Sequence, residues 1–98
     1  MTNEALLIID YTNDFVDDKG ALTCGKPAQE LDDAIINLAD EFLKEGKWVI
    51  IPTDLHFKGN PYHPETKLFP PHNLPNTWGR KLYGKVGKWY EETRIMIM

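Results

Sequence analysis

The continuous apolar run from Ala5 to Ile9, stopped by Asp10, constrains this chain more than any other feature. A strand with one solvated face alternates apolar and polar residues, whereas an unbroken run of this length reads as a strand covered on both faces of a parallel sheet. It is expected to be the first and central strand. Trp48 to Pro52 repeats the pattern, and the proline closes it because it cannot donate to a continuing ladder. Between them, Leu31, Ala34, Ile35, Leu38, Ala39, Phe42 and Leu43 fall on one face of a helix predicted over Pro27 to Glu45, and this stripe is expected to be core. Pro27 suits its first turn and Gly46 the position just past its end. Strand, helix, strand is a βαβ unit, which makes the chain α/β with parallel strands and a right-handed crossover.

The remaining segments are less regular. Asp10 to Lys26 reads as a polar loop with turns at Gly20 and Gly25, in which the apolar Phe15 and Leu22 need a reason to be present. Five prolines, at 61, 64, 70, 71 and 75, predict an irregular stretch from Asn60 to Asn76. A loop this long inside a compact domain is usually functional or disordered, and metal anchoring would explain an ordered one. Trp78 to Glu92 is expected to form turns or a short helix, and Ile95 to Met98 to open a third strand that is cut off.

Size and charge exclude several roles. At 98 residues one domain is the ceiling, and 42% hydrophobic with 27% charged residues is the balance of a folded globular chain. Fifteen acidic against eleven basic side chains give a formal charge of -4, which favours neither nucleic acid nor an anionic membrane surface. No apolar run approaches the roughly 20 residues of a membrane span, and the short acidic start is unlike a secretory signal. The single cysteine, Cys24, fits a reducing compartment, so the expected location is the cytoplasm.

Chemistry gathers at the carboxyl ends of the two strands, where open α/β sheets place their binding crevices. Asp54 and His56 stand two apart after the second strand, a spacing that lets both side chains leave an extended backbone on one side. Alone, a D-x-H pair is weak, because a histidine after a strand is often a surface or capping residue. His63, Glu65 and His72 follow in the proline-rich loop, and imidazole with carboxylate is a donor set that zinc, manganese or iron accepts. Asp10 occupies the same edge after the first strand. Its position suits a cap of the following turn at least as well as catalysis. Cys24, in a turn with no base assigned to it, reads as an incidental thiol.

Five segments in order, ALLIIDYTNDF (5–15), GALTCG (20–25), TDLH (53–56), HPETKLFPPH (63–72) and GRKLYGK (79–85), resemble the nicotinamidase branch of the isochorismatase-like cysteine hydrolases. The resemblance implies the N-terminal part of a doubly wound, Rossmann-type three-layer fold, with residues 1–98 a partial hydrolase domain ending before the catalytic lysine and cysteine. It implies hydrolysis of a nicotinamide-like amide, the NAD-salvage reaction, with Asp10 as acid and base. Asp54, His56, Glu65 and His72 would bind a divalent metal, with zinc expected and manganese or iron as alternatives; His63 competes with Glu65. Phe15 and Phe69 would wall the substrate ring, joined by Leu22.

In that family a thiolate attacks the amide, helped by the aspartate and a lysine. Lys81, Lys85 and Lys88 come too early in the pattern and Cys24 lies in the first loop, so this chain is expected to be inactive by that mechanism. The competing expectation is a non-catalytic metal-binding module, or a half-domain that pairs with another chain, since an uncovered sheet favours self-association into a homo-oligomer. A third, a relative acting on a carbamoyl compound, is opposed by the metal loop.

Overall fold

The computed structural model describes residues 3–63 and 65–97. In it β1 (Ala5–Leu7) and β2 (Trp48–Ile50) pair in parallel, with Ala5 opposite Trp48, Leu6 opposite Val49 and Leu7 opposite Ile50. Ile8 N–H donates to the Ile50 carbonyl (2.9 Å) and Asp10 N–H to that of Pro52 (3.0 Å), so the two strands leave the sheet side by side. Asp10 and Asp54 therefore emerge from one edge. Within the loop after β1 lies a single helical turn, α1 (Asn13–Val16), where only a polar loop was expected.

The helix expected over Pro27 to Glu45 is divided into α2 (Lys26–Gln29) and α3 (Asp32–Lys44). Gly25 enters α2 with a φ of 74°, and Gly46 ends α3 with a φ of 72°, the left-handed conformation that glycine adopts without steric cost. The interruption lies just ahead of Asp32, whose carboxylate accepts the N–H groups of Lys85 (2.8 Å) and Val86 (3.2 Å). The first residue of α3 thus caps the start of a distant helix, a tertiary bond that helical periodicity does not register.

After β2 the proline-rich stretch is irregular except for one turn, α4 (Glu65–Leu68), and Trp78–Arg80 forms a 3-10 turn. The last helix, α5 (Gly84–Ile97), corrects the expectation of a third strand for Ile95 to Ile97; Met98 lies outside the described residues. Extending an existing helix adds one hydrogen bond for each residue fixed, whereas a new strand must first find an edge to pair with.

Ala39 of α3 and Val86 of α5 are fully buried where these helices pack, and with Ile8, Tyr11 and Val16 they form the core. Two expectations of burial are corrected. Leu31, Ala34 and Leu38 of the predicted stripe are exposed, and the helix packs through Ile35, Ile36 and Ala39 instead. The sheet is covered on one face: Ile8 is buried and Leu6 and Val49 pack against the core, while Leu7, Ile9, Trp48 and Ile50 on the opposite face are 48% to 69% exposed. Periodicity identifies apolar residues, but it does not say what covers them.

Candidate metal centre

Beyond Pro52 the chain carries Asp54 and His56 away from the sheet edge and returns through α4 to His72. One ligand atom from each of Asp54, His56, Glu65 and His72 lies within 4.8 Å of the others. His56 Nε2 is 2.5 Å from Asp54 Oδ2 and 3.2 Å from Glu65 Oε2, and His72 Nε2 is 3.6 Å from the same Asp54 oxygen. Donor atoms about 2.0 to 2.2 Å from a divalent ion stand roughly 3 to 4 Å from one another, so the 3.2 and 3.6 Å separations are on the scale of a coordination shell, while 2.5 Å is a hydrogen-bond distance.

The second ring nitrogens sharpen that fit. His72 Nδ1 donates to the Pro70 carbonyl at 2.7 Å. A carbonyl can only accept, so the neutral ring carries its proton on Nδ1 and directs an Nε2 lone pair toward the carboxylate of Asp54. His56 Nε2–H donates to Asp54 Oδ2, and the imidazole nitrogens and two carboxylates that converge here are a donor set that a divalent cation accepts. His63 is placed differently. Its Nδ1 accepts the backbone N–H of Glu65 (3.2 Å) and its ring packs edge-on against His56, with centroids 4.5 Å apart. With Nδ1 engaged, the neutral ring holds its proton on Nε2, which stands 3.8 Å from Glu65. His63 therefore orders the turn that presents Glu65.

Asp10 does not cap the following turn. Its Oδ1 accepts the N–H of Asp54 at 2.8 Å, across the sheet edge, and its φ of 56° places it in the left-handed region that aspartate tolerates better than most residues. Arg80 holds the other side of the same peptide run: Nε donates to the Asp54 carbonyl and a terminal nitrogen to the Thr53 hydroxyl, both at 3.0 Å. Asp54 is thus pinned at both its N–H and its carbonyl. The arginine was visible in GRKLYGK, but nothing local in the sequence pairs it with residues 26 and 27 positions earlier.

Phe15 and Phe69 both face His72, with ring centroids at 5.5 Å and 6.4 Å. Leu22 is half-buried, with its N–H on the Asp14 carbonyl (3.0 Å). A cavity of about 30 Å³ lies against His56, Glu65, Phe69 and His72, large enough for an ion or a water. A wider open groove of about 880 Å³ runs past Thr53, Trp78, Arg80 and Tyr90 and is lined by none of the four clustered residues. Cys24 is exposed on the first loop, and Lys85 is paired with Asp33 at 2.8 Å, a hydrogen bond that raises its pKa. Among the described residues, no helix is long and apolar enough to cross a membrane.

A parallel α/β unit with acidic and imidazole side chains gathered at its carboxyl edge defines the class: a domain of the doubly wound kind with a metal-competent centre. The isochorismatase domain family matches residues 4–96, and the chain belongs to that family. The isochorismatase family protein PncA of Bacillus subtilis strain 168 is 51% identical over 89 residues, covering 91% of this chain and 49% of that protein. The crystal structure of the nicotinamidase/pyrazinamidase PncA from Bacillus subtilis superimposes with a TM-score of 0.89 at 45% identity, over 95% of this chain and 51% of that one. The pyrazinamidase/nicotinamidase of Streptococcus mutans UA159 does so at 0.87 and 46%, over 93% and 50%. The chain spans about half the length of these relatives.

Proposed function

We propose that this chain forms the metal- and ring-binding part of a nicotinamidase-type amidohydrolase, whose complete site converts a nicotinamide-like amide and water to the free acid and ammonia. The observation that carries this reading is the convergence of Asp54, His56, Glu65 and His72 beside the rings of Phe15 and Phe69, in a chain closely similar to nicotinamidases. A divalent ion held by the four side chains, with zinc the first choice and manganese or iron the alternatives, would supply a Lewis-acid docking point for the pyridine nitrogen.

The other steps belong to side chains. Phe15 and Phe69 wall the ring and keep water from it, with Leu22 extending the wall. Asp10, fixed at the same edge by the Asp54 N–H, takes the proton of the attacking thiol and returns it to the leaving ammonia. Neither Cys24, exposed on the first loop, nor the Asp33-paired Lys85 fills the remaining two roles. On this reading residues 1–98 carry the metal and ring binding and the Asp10 proton transfer, and those two roles are left unassigned among them.

Calorimetry with the zinc-loaded chain tests this. Nicotinamide should bind and benzamide, which lacks the ring nitrogen, should not; equal binding of both, or ammonia release by the chain alone, overturns the reading. A second reading, a non-catalytic half-domain that associates with another chain or with itself, is favoured by the open sheet face of Leu7, Ile9, Trp48 and Ile50. Sedimentation velocity showing a monomer across micromolar concentrations would remove its self-associating form.

A further inference from the structure

Thr12, Asn13 and Asp14 are all buried, although they lie in the loop that precedes α1 and in its first turn. Each is bonded to the segment from Asn73 to Lys81. Thr12 Oγ1 donates to Asn73 Oδ1 (2.7 Å), Asn13 Nδ2 to the Trp78 carbonyl (2.9 Å), and Asp14 Oδ2 accepts the backbone N–H of Asn73 (2.7 Å). The second Asp14 oxygen accepts Ala21 N–H at 3.1 Å, and a Cβ at Gly79 would collide with the carboxylate. A buried carboxylate that receives two backbone N–H groups is a strong, directional anchor.

Asn73 is where the two imidazole-bearing segments meet. It follows His72 directly, and its carbonyl accepts the N–H of His56 at 3.2 Å. It is fully buried with a φ of 48°, and its Nδ2 is a buried donor without a partner among the described residues. A left-handed residue with an unsatisfied donor costs stability on both counts, so the surrounding bonds must over-determine this conformation.

Resting on the metal-centre reading above, we infer that Asp14 is a positioning residue for that centre: its carboxylate holds the Asn73 backbone and thereby sets the spacing of the His56 and His72 rings. Asp14 touches neither ring's ligand nitrogen. Its influence runs through one backbone bond to Asn73, then to His72 along the chain and to His56 through the Asn73 carbonyl.

The test is zinc and cobalt affinity of the full chain, measured by competition with a chromophoric chelator and by the visible absorption of the cobalt form. Asp14→Asn, which keeps the shape but turns an NH2 toward one of the two N–H groups, should weaken metal binding about 10- to 100-fold and alter the cobalt spectrum, as loss of supporting bonds around ligands does. Asn73→Gly keeps both backbone bonds and suits the positive φ, so its loss should stay under about 5-fold. Val86→Ala, remote in the core, controls for lost stability and should leave the cobalt spectrum as it is. Wild-type affinity and spectrum in Asp14→Asn would overturn the assignment, as would an Asn73→Gly loss equal to that of Asp14→Asn. Failure of the wild-type chain to bind either metal would instead overturn the metal-centre reading itself.

Discussion

At the carboxyl edge of the sheet the buried side chains are polar, with Thr12 and Asn73 wholly enclosed and His72 nearly so; on the open face, one strand length away, Trp48 is 69% exposed. The two regions are built from different interactions. The edge is held by directional bonds whose donors and acceptors are both present: Asp14 with Asn73, Asp10 and Arg80 with Asp54. The face depends on burial, which is non-directional and proportional to the area covered, and the described residues cover only the other side. A site can therefore be well ordered on a chain whose apolar packing is modest.

The contrast can be broken most forcefully at Asp54, whose Oδ2 is close to both imidazoles. Asp54→Ala should cost at least ~100-fold in zinc affinity, about 2.7 kcal/mol. An unchanged affinity in the chelator competition would mean the polar edge is order without a metal function. Next comes the core: Val86→Ala removes two fully buried methyl groups and should lower the free energy of unfolding by about 2 kcal/mol in a urea titration. A loss below ~0.5 kcal/mol would move the source of stability to the hydrogen-bonded edge.

Tyr11 combines the two kinds of interaction, burial and a directional bond, since its ring is in the core and its hydroxyl donates to the Ala28 carbonyl at 2.8 Å. Tyr11→Phe should cost about 1 kcal/mol near neutral pH by removing that bond. Burial, aided by Asp32, raises its pKa well above the ordinary 10.0. The folded state keeps the phenol protonated while the unfolded chain ionises, so this contribution is whole below about pH 10 and is lost as pH rises beyond it. The phenylalanine variant should show a shallower alkaline decline; identical slopes would place the decline elsewhere. The smallest effect is expected on the open face. Trp48→Thr should change stability by no more than ~0.5 kcal/mol and reduce any self-association seen in sedimentation. A large loss of stability would show that the face is covered in solution.

Legibility differed between fold and site. The βαβ unit could be read from two apolar runs and one helical stripe, because periodicity reports which face of an element is apolar. The helix predicted as continuous is interrupted just before Asp32, whose carboxylate accepts the backbone N–H groups of Lys85 and Val86, partners that periodicity does not register. For the candidate site, motif order and resemblance singled out Asp54, His56, Glu65 and His72, whose donor atoms the fold brings together. Asp14 and Arg80 stood inside the quoted motifs without a role, since an aspartate that grips backbone looks the same in sequence as one that faces solvent.

The amino-acid sequence alone determined the alternation of strand and helix, the edge at which polar residues collect and the metal-compatible donor types, all properties of neighbouring residues and their periodicity. Only the tertiary structure decided that Glu65 rather than His63 joins the cluster, that Asp10 binds Asp54 instead of capping its own turn, and that the described residues cover one sheet face and not the other. Each of these turns on a hydrogen-bond partner or a packing neighbour supplied from elsewhere in the chain. Asp14 and Asn73, 59 positions apart, are the clearest case: backbone N–H groups are identical in every residue but proline, so only folding selects which one a carboxylate will hold.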